Sequence, residues 1–157
     1  HMRVVSGIEI TTVSTTAQFP VGERFSVSQP ASDLPPAIWM YVKATAELLQ
    51  GNVCSWVASA TGTAYVIGAP TGAAGLQVVS NIAGVAQHTI ALGSYGFIQI
   101  GGVGEVGTAG GVAVNIGLGY PTTAKLGSTI GTAKEGSFAI VLVNEVTPQK
   151  CLITLAR

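Results

Sequence analysis

The sequence predicts an all-β protein with little helix, and three observations carry that expectation. First, 18 of the 21 glycines fall between Gly62 and Gly136, leaving only Gly7, Gly22 and Gly51 outside. Glycine every few residues punctuates short strands with turns and works against long helices. Second, short β-branched and aromatic runs lie between those glycines: Tyr65-Val66-Ile67, then 76–79, 97–100, 112–116 and 138–143. Third, 157 residues with 48% hydrophobic content suffice for one domain with a core of its own. A small barrel- or sandwich-like domain at 20–157, preceded by an extended N-terminal arm at 1–19, follows from this pattern. His1 reads as a cloning scar ahead of Met2.

Taken in order, residues 3–19 are rich in Thr, Ser, Val and Ile, and Ile8-Glu9-Ile10 alternates as a half-buried strand does. The segment is expected to be an arm that reaches a neighbouring subunit or a larger assembly by strand addition. Residues 20–36 hold four prolines and read as turns. Ala37-Ile38-Trp39-Met40-Tyr41-Val42-Lys43 reads as a strand. Residues 44–50 have good helix propensity before Gly51 and predict one or two helical turns within a loop. The strongest hairpin signal pairs 84–90 with 95–100 around a turn at 91–94.

Composition excludes several functions. Seven Lys and Arg balance seven Asp and Glu, and charged residues are 9% against about 25% in an ordinary domain. A nucleic-acid footprint needs clustered cations that this chain lacks. Mean hydropathy is +0.53, yet the longest strictly apolar stretch, 138–143, is far short of the roughly 20 residues needed to span a bilayer. No basic-then-apolar leader opens the chain, so it reads as soluble and unexported. Cys54 and Cys151 each sit in an apolar run and are expected as buried free thiols. Scarce charge on a glycine-rich chain also predicts surface covered by other chains, and hence a homotrimer.

The chemistry-bearing motifs are weak. Gly102-Val103-Gly104-Glu105-Val106-Gly107 matches the dinucleotide pattern, but that pattern needs a helix N-terminus after it. Thr108-Ala109-Gly110-Gly111 is a poor helix, so these are read as turn and bulge glycines. One internal histidine, His88, and one aspartate, Asp33, are too few for a nucleophile–base–acid set. His88 is expected at a surface or subunit contact. No Cys-x-x-Cys, paired histidine or calcium-type acidic loop is present. No enzyme activity, cofactor, metal or small-molecule substrate is expected. Trp39, Tyr41 and Trp56 flank the Gly51 turn. With Ile8, Ile10 and His88 they are the candidate interface residues, because Trp and Tyr commonly anchor contacts.

Several stretches, in their order and spacing over 20–143, resemble the capsid decoration (cement, or head-stabilising) proteins of tailed bacteriophages. They are Trp39-Met40-Tyr41-Val42-Lys43-Ala44, Gly84-Val85-Ala86-Gln87, Gly93-Ser94-Tyr95-Gly96-Phe97-Ile98-Gln99-Ile100-Gly101-Gly102 and Gly131-Thr132-Ala133. The resemblance implies a mainly β, often trimeric virion protein, assembled in the host cytoplasm and seated on the outer capsid surface with the major capsid protein as partner. It supplies no catalytic residue. The alternatives are a trimeric tail-fibre or receptor-binding domain, and a trimeric β-rich nucleotide hydrolase. The hydrolase would need an arginine-bearing phosphate loop, whereas Arg24 is the only arginine between Arg3 and Arg157.

Overall fold

The computed structural model describes residues 2–4, 9–28, 34–58, 64–68, 79–129 and 136–156. They form eleven strands: β1 (Met2–Val4), β2 (Arg24–Val27), β3 (Ala37–Lys43), β4 (Val53–Ala58), β5 (Ala64–Gly68), β6 (Ile82–Val85), β7 (Tyr95–Val106), β8 (Gly117–Thr123), β9 (Leu126–Thr129), β10 (Ala139–Val141) and β11 (Gln149–Thr154). A 3-10 turn, Val79–Asn81, is the sole helical element among the described residues. No helix there is long and apolar enough to cross a membrane.

All strands join one sheet, in the order β1-β2-β3-β7-β11-β10-β8-β9, with β6, β4 and β5 branching from β7. Pairing is antiparallel except between β1 and β2. The sheet bends on itself without closing into a barrel. Ala44 and Val66 meet through one isolated bridge.

The twelve-residue β7 is the hub, and its glycines allow it. Chain partners β3 and β11 overlap at Gly101. A register shift opposite Ile38 and Trp39 is followed by Gly102 at φ +81°. A Cβ there would meet Pro36 O at 2.7 Å, so the kink needs glycine on two counts. The dinucleotide-like pattern is therefore the bent half of a strand, with no helix after it.

Three apolar clusters fill the folded sheet. One gathers β8, β10 and β11 around Leu118, Phe138 and Ile153. A second lies under β3, β4 and β7, with Val42, Cys54, Ile98 and Ile100. The third is aromatic, built on Phe25, Tyr41 and Phe97. Both cysteines are buried free thiols, as the sequence reads.

Tertiary pairing overrides several local signals. Residues 44–50 are not helical: Ala44 N–H donates to Ser94 O, and Leu48 and Ile90 exchange both backbone hydrogen bonds. The chain spends those polar groups on neighbouring loops, which outweighs a helix propensity worth a few tenths of a kcal/mol per residue. The expected hairpin is shorter than 84–90, because β6 stops at Val85 and meets β7 only at Gln99. Residues 112–116 run as loop and turn, with Ile116 exposed. Within the segment expected as an extended arm, several residues meet the chain's own sheet. Met2–Val4 pairs with β2, Ser14 bridges Tyr95, and Phe19 packs on the aromatic cluster. Burying Phe19 against three rings secures residues 9–19 to the body.

Candidate interaction surface

The aromatic cluster sits on one face of β2, β3 and β7 and is roofed by residues 9–19. Arg24–Val27 pairs with Ala37–Met40, and β3 pairs with β7 from Trp39↔Gln99 to Lys43↔Tyr95. Strand alternation then places Phe25, Tyr41 and Phe97 on one side, each no more than 2% exposed. Phe19 adds edge-on contacts to Phe25 (centroids 5.0 Å) and Tyr41 (5.2 Å), and a tilted one to Phe97 (5.7 Å). These are the arrangements aromatic quadrupoles favour. The Gln18 backbone N–H donates to the Tyr41 hydroxyl at 3.1 Å, giving that buried group a partner. Tyr95 stacks on Tyr41 at 6.0 Å, and the Lys43 ammonium lies 5.3 Å from the Tyr95 ring centre and 5.4 Å from that of Tyr65.

The expected interface residues are thus dispersed. Tyr41 is core, and Ile10 and Trp39 are half-buried at the margin of its cluster. Trp56 lies on β4 opposite Val66 and packs on a different cluster, so it does not join Trp39 and Tyr41. Two intervening strands, β7 and β6, separate β3 from β4. Ile8 lies outside the described residues. His88 follows β6 in a bend, half-buried, with both ring nitrogens buried and without a hydrogen-bond partner. Burial lowers its pKa from the ordinary histidine value, favouring the neutral ring.

The internal polar groups serve the backbone. The Gln87 carboxamide donates to Glu105 O and accepts from Glu105 N–H, both at 2.9 Å, so it pairs with β7 as a strand residue would. Gln99, 2% exposed, donates to Gly101 O and Val103 O at the kink. Gln149, fully buried, donates to Glu145 O at 3.2 Å and lies 3.5 Å from Gly110 O. The roles of the three are not legible in the sequence, because nothing in it marks a glutamine whose carboxamide will bond a backbone carbonyl in the folded sheet.

A shallow notch of about 170 Å³ is lined by Ala109, Gly110, Gly111, Thr122 and Ser128 among others. No acid, base or thiol lines it, and the Thr122 and Ser128 hydroxyls bond each other at 2.8 Å. Among the described residues, no group of three His, Cys, Asp or Glu could hold a metal ion. The thiols of Cys54 and Cys151 are pushed up to about 12, in each case chiefly by burial, so neither is a ready nucleophile.

What the surface does offer is apolar side chains. Leu92 is 69% and Val146 88% exposed, and Leu49, Val114, Ile116, Leu142 and Val143 also reach solvent. Isolated cases are ordinary, but residues 114–116 and 141–143 are joined by backbone hydrogen bonds between Asn115, Ile116 and Val141.

No protein family profile and no curated protein matches the chain. Among solved structures it is similar to the N base of head fiber gp8.5 of bacteriophage phi29, at 11% identity and a TM-score of 0.47, over 76% of this chain and 94% of that one. A likeness of that degree establishes neither shared function nor shared descent.

Proposed function

We propose that this chain is a non-enzymatic structural protein of a tailed-phage virion, attached to the outer capsid surface as a decoration or cement protein and acting as a homo-oligomer. The observation that carries the reading is where the decoration-protein-like stretches lie. Trp39 to Lys43 and Tyr95 to Gln99 are paired residue for residue. Gly84-Val85-Ala86-Gln87 meets the same strand at Gln99 and, through the Gln87 side chain, at Glu105. Stretches that are separate in sequence thus form one block, β3–β7–β6. Gly131-Thr132-Ala133 lies outside the described residues.

The surface supports the same reading. It joins sparse charge to exposed apolar side chains. Repeated by symmetry over a shell, weak apolar contacts sum to firm attachment. His88, whose neutral ring is favoured by burial, and the two raised thiols suit a role without proton or group transfer.

The test is to mix the purified protein with phage heads that lack outer decoration, pellet the heads, and follow their thermal rupture. Saturable co-pelleting with later rupture is expected. Failure to pellet, with binding to host cells instead, would favour the fibre reading and overturn this one.

A further inference from the structure

The sheet has a second apolar face that none of the three core clusters uses. In β10, Ala139 and Val141 point into the core; in β11, Cys151 and Ile153 do. The residues between them, Ile140 and Leu152, therefore face the other way. Register aligns them into a row across four strands: Val103 on β7 opposite Leu152, Leu152 opposite Ile140, and Ile140 opposite Gly117. Val103, Leu152 and Ile140 are half-buried, and none packs against a core cluster. The row is flanked by Leu142 (38% exposed), whose N–H donates to Lys150 O. Beside it runs a polar row in which Glu105 and Lys150 are directly opposed. The pKa of the Glu105 carboxyl is raised, chiefly by burial and then by Glu145 nearby, while Lys150 works to lower it.

From this geometry we infer that a second copy of the chain covers the Val103–Leu152–Ile140 face. The face carries an anion and a cation side by side next to an apolar row, and so is complementary to itself. A second copy laid face to face can set its apolar row on this one while the partner's Lys150 approaches Glu105. Zero formal net charge removes the repulsion that keeps charged proteins apart. Three strands at about 4.8 Å spacing give an apolar row roughly 10 Å long. That is the centre of a contact needing about 800 Å² per partner, with Thr154, Lys150 and Glu105 at the rim. The inference rests on the self-association in the proposed function, sets a two-fold pair where composition led to the expectation of a trimer, and is independent of capsid attachment.

Sedimentation equilibrium of the full chain at tens of micromolar tests it, with Leu152→Asp and Leu142→Asp as variants. The wild type is expected to self-associate, and each variant to raise the dissociation constant about tenfold or more while keeping the wild-type circular dichroism. Leu142 is exposed beside the row, so Leu142→Asp decides the matter if Leu152→Asp does not fold. A wild type and variants that associate equally would overturn the assignment of this face and leave self-association standing. A wild type that stays monomeric would overturn both, whereas co-pelleting with heads would still report on attachment.

Discussion

Replacing Phe19 by Ala tests whether residues 9–19 belong to the domain. Phe19 is half-buried and contacts Phe25, Tyr41 and Phe97 with ring centres 5.0–5.7 Å apart. A fully buried Phe→Ala change costs about 3–5 kcal/mol, and half of that is about 2. Lost ring–ring contacts of roughly 0.5 kcal/mol each bring the expected loss to about 2–4 kcal/mol. In a chain of this length the melting temperature should fall by on the order of 5–12 °C. Urea unfolding followed by tryptophan fluorescence reads the loss directly, because Trp39 packs on the same cluster. Thr16→Ala, at an exposed position, is the control and should stay within about 0.5 kcal/mol. A Phe19→Ala loss below about 0.5 kcal/mol would refute the reasoning. So would a chain lacking residues 1–19 that melts with the full protein, since an attachment arm could be removed without harm.

Three further outcomes are expected. Burial lowers the folded-state pKa of His88, so the unfolded chain takes up a proton the folded chain resists. Stability tied to this residue is present above about pH 6.5 and is lost as pH falls from there through the folded-state value. His88→Leu should flatten the pH dependence of the urea midpoint between pH 8 and 5, and an unchanged slope would count against the buried-ring geometry. Cys54 and Cys151, raised to about 12, should resist a thiol reagent at pH 8 in the folded protein and both react in denaturant. Fast labelling without denaturant would contradict their burial. Gly104→Ala would place a Cβ against the Gln99 carboxamide and 3.1 Å from Gln87 Nε2, disturbing the bonds that hold the β7 kink. Equilibrium unfolding should show a loss of about 2–4 kcal/mol, and a midpoint equal to wild type would remove the packing account.

Legibility in the sequence followed the range of the forces involved. Strand character at 37–43, 65–67 and 97–100 was readable because β-branched and aromatic side chains report it locally. The all-β class followed from glycine spacing for the same reason. Residues 44–50 misled, since their propensity is also local, whereas their hydrogen bonds go to Ser94 and Ile90, more than 40 residues away. Docking of the N-terminal segment was invisible because Phe19 carries no mark that it will meet Tyr41 and Phe97. The candidate interface suffered most: Trp39, Tyr41 and Trp56 are near in sequence, but β3 and β4 are separated by β7 and β6. The apolar row needed register, since Val103, Ile140 and Leu152 become neighbours only through pairing.

The three internal glutamines show how a chain with 9% charge satisfies a kinked sheet. A strand that bends at Gly102 leaves carbonyls off the ladder, and a buried polar group without a partner costs about 1–3 kcal/mol. A lysine or arginine could cap such carbonyls, at the price of burying a charge with no counter-ion. A carboxamide caps them while neutral, and its oxygen can accept in return, as Gln87 does from the Glu105 N–H. Gln99 takes two carbonyls on either side of the kink, and Gln149 reaches Glu145 O beside β11. Neutral caps keep the interior free of charge and leave Glu105 and Lys150 opposed on the other face of β7 and β11. The same scarcity of charge that removes catalytic candidates therefore also builds the scaffold. On the proposed contact face recognition would come mainly from shape and apolar contact, with the opposed Glu105 and Lys150 to set alignment.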